Sequence, residues 1–470
     1  MAELPIIELD EFAAIVGANN VLTASDAAPY LQEQRGRFTG EALAAIRPGT
    51  TDEVAAVVAT CARLGISIVP QGGNTGLVGG SVPQHTPRSI VLSTRRLDRI
   101  RNIDALGSTM TVEAGVILQR AREAADQADR LLPLTLGAEG SCTIGGVLST
   151  NAGGHLTLAY GNARALALGL EVVLPDGRVW NGLSRLRKDN TGYDLKQLFL
   201  GAEGTLGIVT AAVLALQPKP RDVATGFVGL RDPDAAVALL AALQDASGGA
   251  IVAFELMPRL AIDFATAHVA GAFEPISART QWYVLLEATS GVAGAARTAL
   301  EQGLARALED GLIDDAVLAE SGEQRRRFWF MREAIVEAQK FEGASIKHDI
   351  SVPVASVPDF IRRADLAVEA VAPGARPYAF GHVGDGNVHY NITQPPGLAP
   401  AAWMARWDEL NRVVHAIVAE LDGSISAEHG IGRFKRDALP GVKSTVEFDL
   451  LQRVKRALDP DGRMNPGAMF

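Results

Sequence analysis

Three short windows carry residues that could do chemistry. The first is GHVGDGNVHYN, residues 381 to 391. If Asp385-Gly386 is a two-residue hairpin turn, Gly384 pairs with Asn387, Val383 with Val388, and His382 with His389. The two imidazoles then face one another on one side of the sheet, with Cβ atoms about 5 Å apart. That spacing suits two metal ligands; the bland alternative is a pair of polar sheet histidines. The chain has only 8 histidines, and two of them fall in this window, which weighs towards chemistry. The second window is SAEHGIG, residues 426 to 432. Glu428 offers an oxygen ligand and His429 an independent base, against the alternative of a Glu-His pair on a solvated loop. The third is PQGGNTGLVGGSVP, residues 70 to 83. Without Cβ atoms in the way, consecutive backbone N–H groups there can point at an anion, and a pyrophosphate is the natural guest. The spacing is neither G-x-G-x-x-G nor a P-loop, which disfavours a Rossmann nicotinamide enzyme and a P-loop nucleotidase.

These windows need elements to hold them. Thr50 and Glu53 stand at capping-box spacing, Val54, Val57, Val58 and Cys61 share one helical face, and Gly65 is placed to end the helix. Ile66 to Val69 then reads as a buried strand closed by Pro70 and delivering the glycine loop. Residues 131 to 161 show little period and much Gly, Ser and Thr, so they read as a long functional loop. Pro175-Asp176-Gly177 is a hairpin signal between two strands. Ile208 to Leu216 is a further strand, and Gln217 to Pro220 reads as a linker. Beyond it, strands near 226–230, 250–256 and 281–288 alternate with Ala-rich helices near 232–246 and 293–309. That rhythm suggests helices on one face of an antiparallel sheet. A helix from Arg325 to Gln339 carries Arg332. In the strand that begins at Ser345, period two sets Lys347, Asp349 and Ser351 on one face.

Composition bounds the rest. The 470 residues suggest two or three domains, and 47% hydrophobic with 21% charged residues is a globular balance. The formal charge of −10 argues against a general binder of nucleic acid or anionic membrane. Cys61 and Cys142, the two cysteines, exclude a disulfide-rich scaffold and a Cys₄ zinc site. No apolar run approaches the length of a membrane span, and MAELPIIELDEF has no basic start of the kind a signal peptide needs. The expectation is a cytoplasmic protein.

PQGGNTG, GSCTIGGVLSTNAGG and EGTLGIVT, in that order, resemble the FAD domain of the vanillyl-alcohol oxidase (PCMH) flavoprotein superfamily over about residues 38 to 218. The resemblance implies an α+β fold and FAD held by these loops. The first loop would wrap the pyrophosphate with Pro70, Gly72, Gly73, Asn74, Thr75, Gly76, Gly79, Gly80 and Ser81. The second would lie along the isoalloxazine and ribityl chain with Gly137, Ser141, Ile144, Gly145, Gly146, Asn151, Ala152, Gly153, Gly154, Tyr160 and Gly161. Glu203, Gly207 and Ile208 would complete the cradle. Some members attach the flavin through a His beside the first loop. Here Asn74 and Thr75 stand in that place and the next His is His85, so the flavin is expected to be non-covalent. Cys142 reads as a small buried residue and not as a flavin attachment point.

GHVGDGNVH with SAEHGIG and the closing LDPDGRMNPGAMF resembles the C-terminal half of the FAD-dependent D-2-hydroxy-acid dehydrogenases, which act on D-2-hydroxyglutarate, D-lactate or glycolate. By this resemblance His382, His389 and Glu428 hold a divalent metal, usually zinc, with Mn²⁺ or Co²⁺ as alternatives. His429 is the base, Asn391 helps hold substrate, and Asn465 lies near the flavin. Arg332 and Lys347 match a pair that clamps the far carboxylate of a diacid. Val336 stands where a Thr often follows the Arg, so one hydroxyl contact is lost and a broader range of D-2-hydroxy acids stays open. The expected domains are an FAD domain over 1–219, a substrate cap over 220–422 and a segment returning to the flavin over 423–470. The expected reaction is oxidation of D-2-hydroxyglutarate to 2-oxoglutarate. An electron-transfer flavoprotein or a quinone would take the electrons, and a homodimer is possible. The rivals are a D-lactate or glycolate dehydrogenase, a flavin-dependent ether-lipid synthase-like transferase, and a non-catalytic flavoprotein subunit.

Overall fold

The computed structural model describes residues 6–84 and 88–470, so His85 lies outside the described residues. The chain divides into two compact units. One comprises Met1–Gly154, Gly161–Lys219 and Glu428–Phe470; the other comprises His155–Tyr160 and Pro220–Ala427.

The first unit begins as its local signals dictate. Thr50 Oγ1 accepts the Glu53 N–H at 3.1 Å, and Glu53 Oε2 accepts the N–H of Gly49 at 2.7 Å. The helix Thr51–Leu64 follows, burying Val54, Val57, Val58 and Cys61 and ending on left-handed Gly65. The next strand, Ser67–Gln71, runs through Pro70 and does not stop before it. It is the last strand of its four-stranded sheet, where a missing N–H costs no ladder bond. Its free side is partly covered by the C-terminal segment: Ile68 N–H donates to Arg463 O, and Asn465 N–H to Ile68 O. A five-stranded antiparallel sheet forms the second layer, in the order Ile100–Asp104, Thr109–Glu113, Ile208–Ala215, Ala167–Val173 and Val179–Gly182. Its last two strands are joined through the expected turn, with Gly177 at φ 88°.

One expectation for this unit needs correction. Residues 131 to 161 are not a continuous loop, because Ile144–Thr150 forms a helix. Glycines usually weaken helices, but here they allow close packing. A Cβ on Gly145 would lie 2.7 Å from that of Ala114, and Gly145 N–H donates to Ala114 O.

The second unit has a four-stranded antiparallel sheet, in the order Ile251–Pro258, Trp282–Ser290, Asp222–Leu230 and Asp315–Leu318. A three-stranded sheet places Asn387–Thr393 between Ser345–Ser351 and Arg376–Phe380. An isolated bridge between Leu256 and Gly381 joins the two. Phe227, Met257, Phe328, Met331, Ile335 and Tyr378 contribute to one apolar core beneath them. The unit extends to Ala427 because Ser424 bridges Ser351 and Ala427 N–H donates to Asp349 O.

Candidate functional site

Strand pairing assembles one polar face in the second unit. Lys347 lies opposite Asn391, Asp349 opposite His389, and Ser351 opposite Asn387. Directly paired residues project to the same side, so Lys347, Asp349, His389 and Asn391 share a face. The expected hairpin register does not form. Phe380, not His382, lies opposite His389. After Phe380 the chain leaves the ladder: Gly381 takes φ 141°, a single 3₁₀ turn covers Val383–Asp385, and Gly386 takes φ 84°. A Cβ on Gly386 would lie 2.1 Å from Val352 O, so the tip is pressed against a neighbouring backbone. Asp385 Oδ1 closes the turn by accepting the Asn387 N–H at 3.1 Å. Burial pushes the Asp385 carboxyl up to about 6, against the opposing charge of His382. The two imidazoles still meet, with ring centroids 5.5 Å apart and planes at 78°.

Two buried carboxylates that the sequence reading did not single out as site residues stand behind these histidines. Glu255 Oε1 faces His382 Nδ1 at 2.5 Å, and Glu255 Oε2 accepts the Nε–H of Arg332 at 2.8 Å. Burial alone would raise the Glu255 carboxyl, but His382 and Arg332 override it and hold it well below the usual range. Asp349 Oδ1 lies 3.6 Å from His389 Nδ1 and accepts from the Asn387 amide at 3.0 Å. A period-two reading had already placed Asp349 beside Lys347, so that residue was within reach. Glu255 was not: it is a lone carboxylate in the apolar strand IVAFELMP.

The expected substrate residues divide between these elements. Arg332 lies on the buried side of the helix Gly322–Ala338, with its guanidinium carbon 4.9 Å from the Phe380 ring centre. Val336, one turn on, is exposed. Asn391 is buried and donates to Gln339 Oε1 at 2.9 Å, so part of its amide is already engaged. His155, also missed, packs against Trp329 with ring centroids 4.3 Å apart and planes tilted by 38°. Burial pushes its imidazole down to about 4.

In the first unit the glycine loop passes a test of fit to a pyrophosphate. The backbone N–H groups of Gly72, Gly73, Asn74, Thr75 and Gly76 have no acceptor in the chain among the described residues. Asn74, at φ 56°, curls the loop; it donates to Gln32 O and accepts from Ser81 Oγ, closing the neck. Beneath the loop, Thr143 Oγ1 is buried and has no hydrogen-bond partner among the described residues. A Cβ on Gly72 would come within 2.2 Å of that oxygen. Thr143 was missed because a single Thr in a glycine-rich run has no distinguishing spacing. Cys142 is buried, its thiol pushed up to about 11 by burial.

Several residues expected at the flavin have packing work of their own. Gly154 presses on Thr135 O, Gly207 on Val172, and Ile208 pairs with Val173 in the core sheet. Asn151 accepts the Arg164 N–H at 2.9 Å. Tyr160 belongs to the second unit. Asn465 donates to Gly80 O and Glu203 O and accepts from Arg433. It thus ties the first loop, the third loop and the C-terminal segment together. Glu203 accepts the N–H groups of Ile431 and Gly432 at 2.7 and 2.8 Å, yet burial pushes its carboxyl up to about 7. Just before them, Glu428 Oε1 lies 3.7 Å from His429 Nε2.

The donor types of the second unit also fit a divalent cation. Imidazole and carboxylate ligands suit Zn²⁺, Mn²⁺ and Co²⁺. Nδ1 of His382 faces Glu255, a carboxylate–imidazole contact of the kind that orients metal-bound histidines.

Comparison with known proteins agrees with this arrangement. Residues 219–469 match the family of FAD linked oxidases, C-terminal domain, and residues 42–182 match an FAD binding domain. A probable mitochondrial D-2-hydroxyglutarate dehydrogenase from Oryza sativa subsp. indica is 36% identical over 98% of this chain and 81% of its own. The mitochondrial D-2-hydroxyglutarate dehydrogenase of Rattus norvegicus is 37% identical over 90% of this chain and 77% of its own. Among solved structures, p-cresol methylhydroxylase with substrate bound superposes with a TM-score of 0.77 at 18% identity, covering 98% of this chain and 96% of that one. An alkyldihydroxyacetonephosphate synthase reaches 0.73 at 16%, covering 99% and 85%. At such identities the structures show the shared fold alone, including the fold of the transferase rival. The expectation of a cytoplasmic protein is overturned by the relatives, since those of rice and rat are both named mitochondrial. The matched family and the extended similarity place this chain among the FAD-dependent D-2-hydroxyglutarate dehydrogenases of the vanillyl-alcohol oxidase (PCMH) superfamily, as an FAD-dependent oxidoreductase.

Proposed function

We propose that the chain oxidises D-2-hydroxyglutarate to 2-oxoglutarate with non-covalent FAD and a divalent metal. The observation that carries this reading is the polar face of the second unit. Two imidazoles stand together, and Lys347 and Asn391 are paired on the strands that bear Asp349 and His389. Bound FAD supplies at N5 the acceptor for the C2 hydride, and a bound divalent cation supplies the Lewis acidity that eases loss of the 2-hydroxyl proton.

The chain's own residues do the rest. The amides of Gly72 to Gly76 hold the pyrophosphate, and Thr143 Oγ1 is a hydroxyl available to the same cofactor. His382, His389 and Glu428 are the proposed metal ligands. His429 takes the hydroxyl proton on an imidazole nitrogen as general base. Arg332 and Lys347 receive the distal carboxylate through charge-assisted hydrogen bonds, with Asn391 beside Lys347. An electron-transfer flavoprotein or a quinone would take the two electrons removed from the substrate. With Val336 in place of a hydroxyl-bearing side chain, other D-2-hydroxy acids remain substrates, D-lactate being the main rival.

Anaerobic bleaching of the flavin by a panel of D- and L-2-hydroxy acids tests this reading. D-2-hydroxyglutarate should bleach fastest and its L-isomer not at all. Exhaustive EDTA treatment should stop bleaching while leaving the flavin spectrum intact. If D-lactate is the best substrate, or if metal-free protein bleaches at full rate, the reading fails.

A further inference from the structure

We infer that Glu255 is a positioning residue that sets both the metal-facing nitrogen of His382 and the guanidinium of Arg332, so that one buried carboxylate fixes the spacing between two binding groups. The inference rests on the proposed roles of His382 and Arg332 and goes beyond them. Glu255 is 1% exposed in a strand whose residues are all buried. An unpaired charge there would be costly, and each of its oxygens has one partner. Oε1 faces His382 Nδ1 and Oε2 accepts from Arg332 Nε.

Each contact has a chemical consequence. An ionised carboxylate only accepts, so His382 keeps a proton on Nδ1, and Nε2 is the nitrogen that would exchange its proton for a cation. The arginine spends Nε on Glu255 and leaves its two terminal nitrogens for an anion. Its plane is held on the other side by the Phe380 ring. The backbone reinforces the coupling. Leu256, next to Glu255, exchanges both N–H···O bonds with Gly381, next to His382, at 2.9 and 3.1 Å. A substrate whose two ends must reach the imidazole-bound cation and the guanidinium is therefore measured by a single side chain.

Glu255→Gln keeps the volume and removes the charge. Zn²⁺ titration of the chelated flavoprotein against a competing chelator should show affinity about 10- to 100-fold weaker than wild type, the usual loss when a metal-bound histidine loses its outer carboxylate. In the same variant the ratio of kcat/KM for D-2-hydroxyglutarate to that for D-lactate should fall. Arg332→Ala should lower that ratio while keeping Zn²⁺ affinity, and His382→Ala should lose Zn²⁺; only Glu255→Gln should disturb both readouts. Wild-type Zn²⁺ affinity with an unchanged ratio in Glu255→Gln would overturn the role of Glu255 and leave the metal reading standing. If wild-type protein itself takes up no Zn²⁺, the metal reading falls and takes this inference with it. Should Glu255→Gln not fold, ¹⁵N–¹H correlations of histidine-labelled, Zn²⁺-loaded wild type decide the point. A proton on Nδ1 of His382 supports the inference, and a proton on Nε2 overturns it.

Discussion

The two units prepare for their ligands in opposite ways. The first offers main-chain groups: a run of amides from Gly72 to Gly76 with no acceptor among the described residues, shaped by positive φ at Asn74 and by absent Cβ atoms. The second offers side chains: His382, His389, Lys347 and Arg332, backed by the buried carboxylates Glu255 and Asp349. A main-chain cradle is intolerant of added atoms and indifferent to charge. A side-chain cluster keeps its shape when one group is changed but loses a specific chemical step. Mutation should therefore separate the two.

The largest effect belongs to the cradle. A Cβ on Gly73 would lie 2.2 Å from Ser141 O and 3.0 Å from Cys142 Cα, and neither backbone atom can yield cheaply. Gly73→Ala should therefore part the 70–83 loop from the segment beneath it and be purified without flavin. Gly76 has no protein atom within 4 Å of its Cβ position, so Gly76→Ala should leave the loop seated and be purified with more FAD than Gly73→Ala. The absorbance ratio of flavin to protein reads both. Equal flavin content in the two variants would show that the loop is not a close-packed cradle.

Next comes the side-chain cluster, where chemistry should be lost and the fold kept. His429→Ala should slow flavin reduction by roughly a hundredfold or more, the usual size of a general-base contribution, with FAD and metal content unchanged. His389→Ala should lose metal as well as rate. Stopped-flow flavin reduction with metal analysis of each variant makes the separation. Equal metal loss in both would mean that His429 is a ligand and not the base.

The same contrast explains what could be read from the chain alone. The helix Thr51–Leu64 was legible because its cap, its buried face and its terminal glycine are all local. The glycine loop was legible because close approach leaves a compositional mark. The histidine pair was found for the right residue types but in the wrong register. Asp385-Gly386 looks like a two-residue turn, whereas Gly381 leaves the ladder early and bridges Leu256 in another sheet. Glu255 left no local sign at all. Its partners are 77 and 127 positions away, and an isolated carboxylate in an apolar strand gains meaning only when the sheets are assembled. Thr143 was hidden for the opposite reason, being ordinary in its context and distinctive only as a buried hydroxyl without a partner among the described residues.

The smallest effect concerns pH and the segment His155–Tyr160. The His155 imidazole is pushed by burial from 6.5 down to about 4, despite the opposing pull of Glu255. Its ring lies against Trp329. The folded protein therefore holds this histidine neutral where the unfolded chain would protonate it. The unfolded state binds the extra proton first, so stability rises with pH across this window. Stability should be lost progressively as pH falls from about 6.5 to about 4 and should lose nothing further from this group below that. His155→Phe keeps an aromatic ring against Trp329 and removes the titrating group. Its melting temperature should fall less than that of wild type between pH 7 and pH 4, while the two proteins differ by a nearly constant amount above pH 7. A melting curve for His155→Phe that tracks wild type in parallel through the whole range would show that His155 is solvated in the folded protein. The side-chain cluster around Glu255, Arg332 and His382 would then not extend to His155.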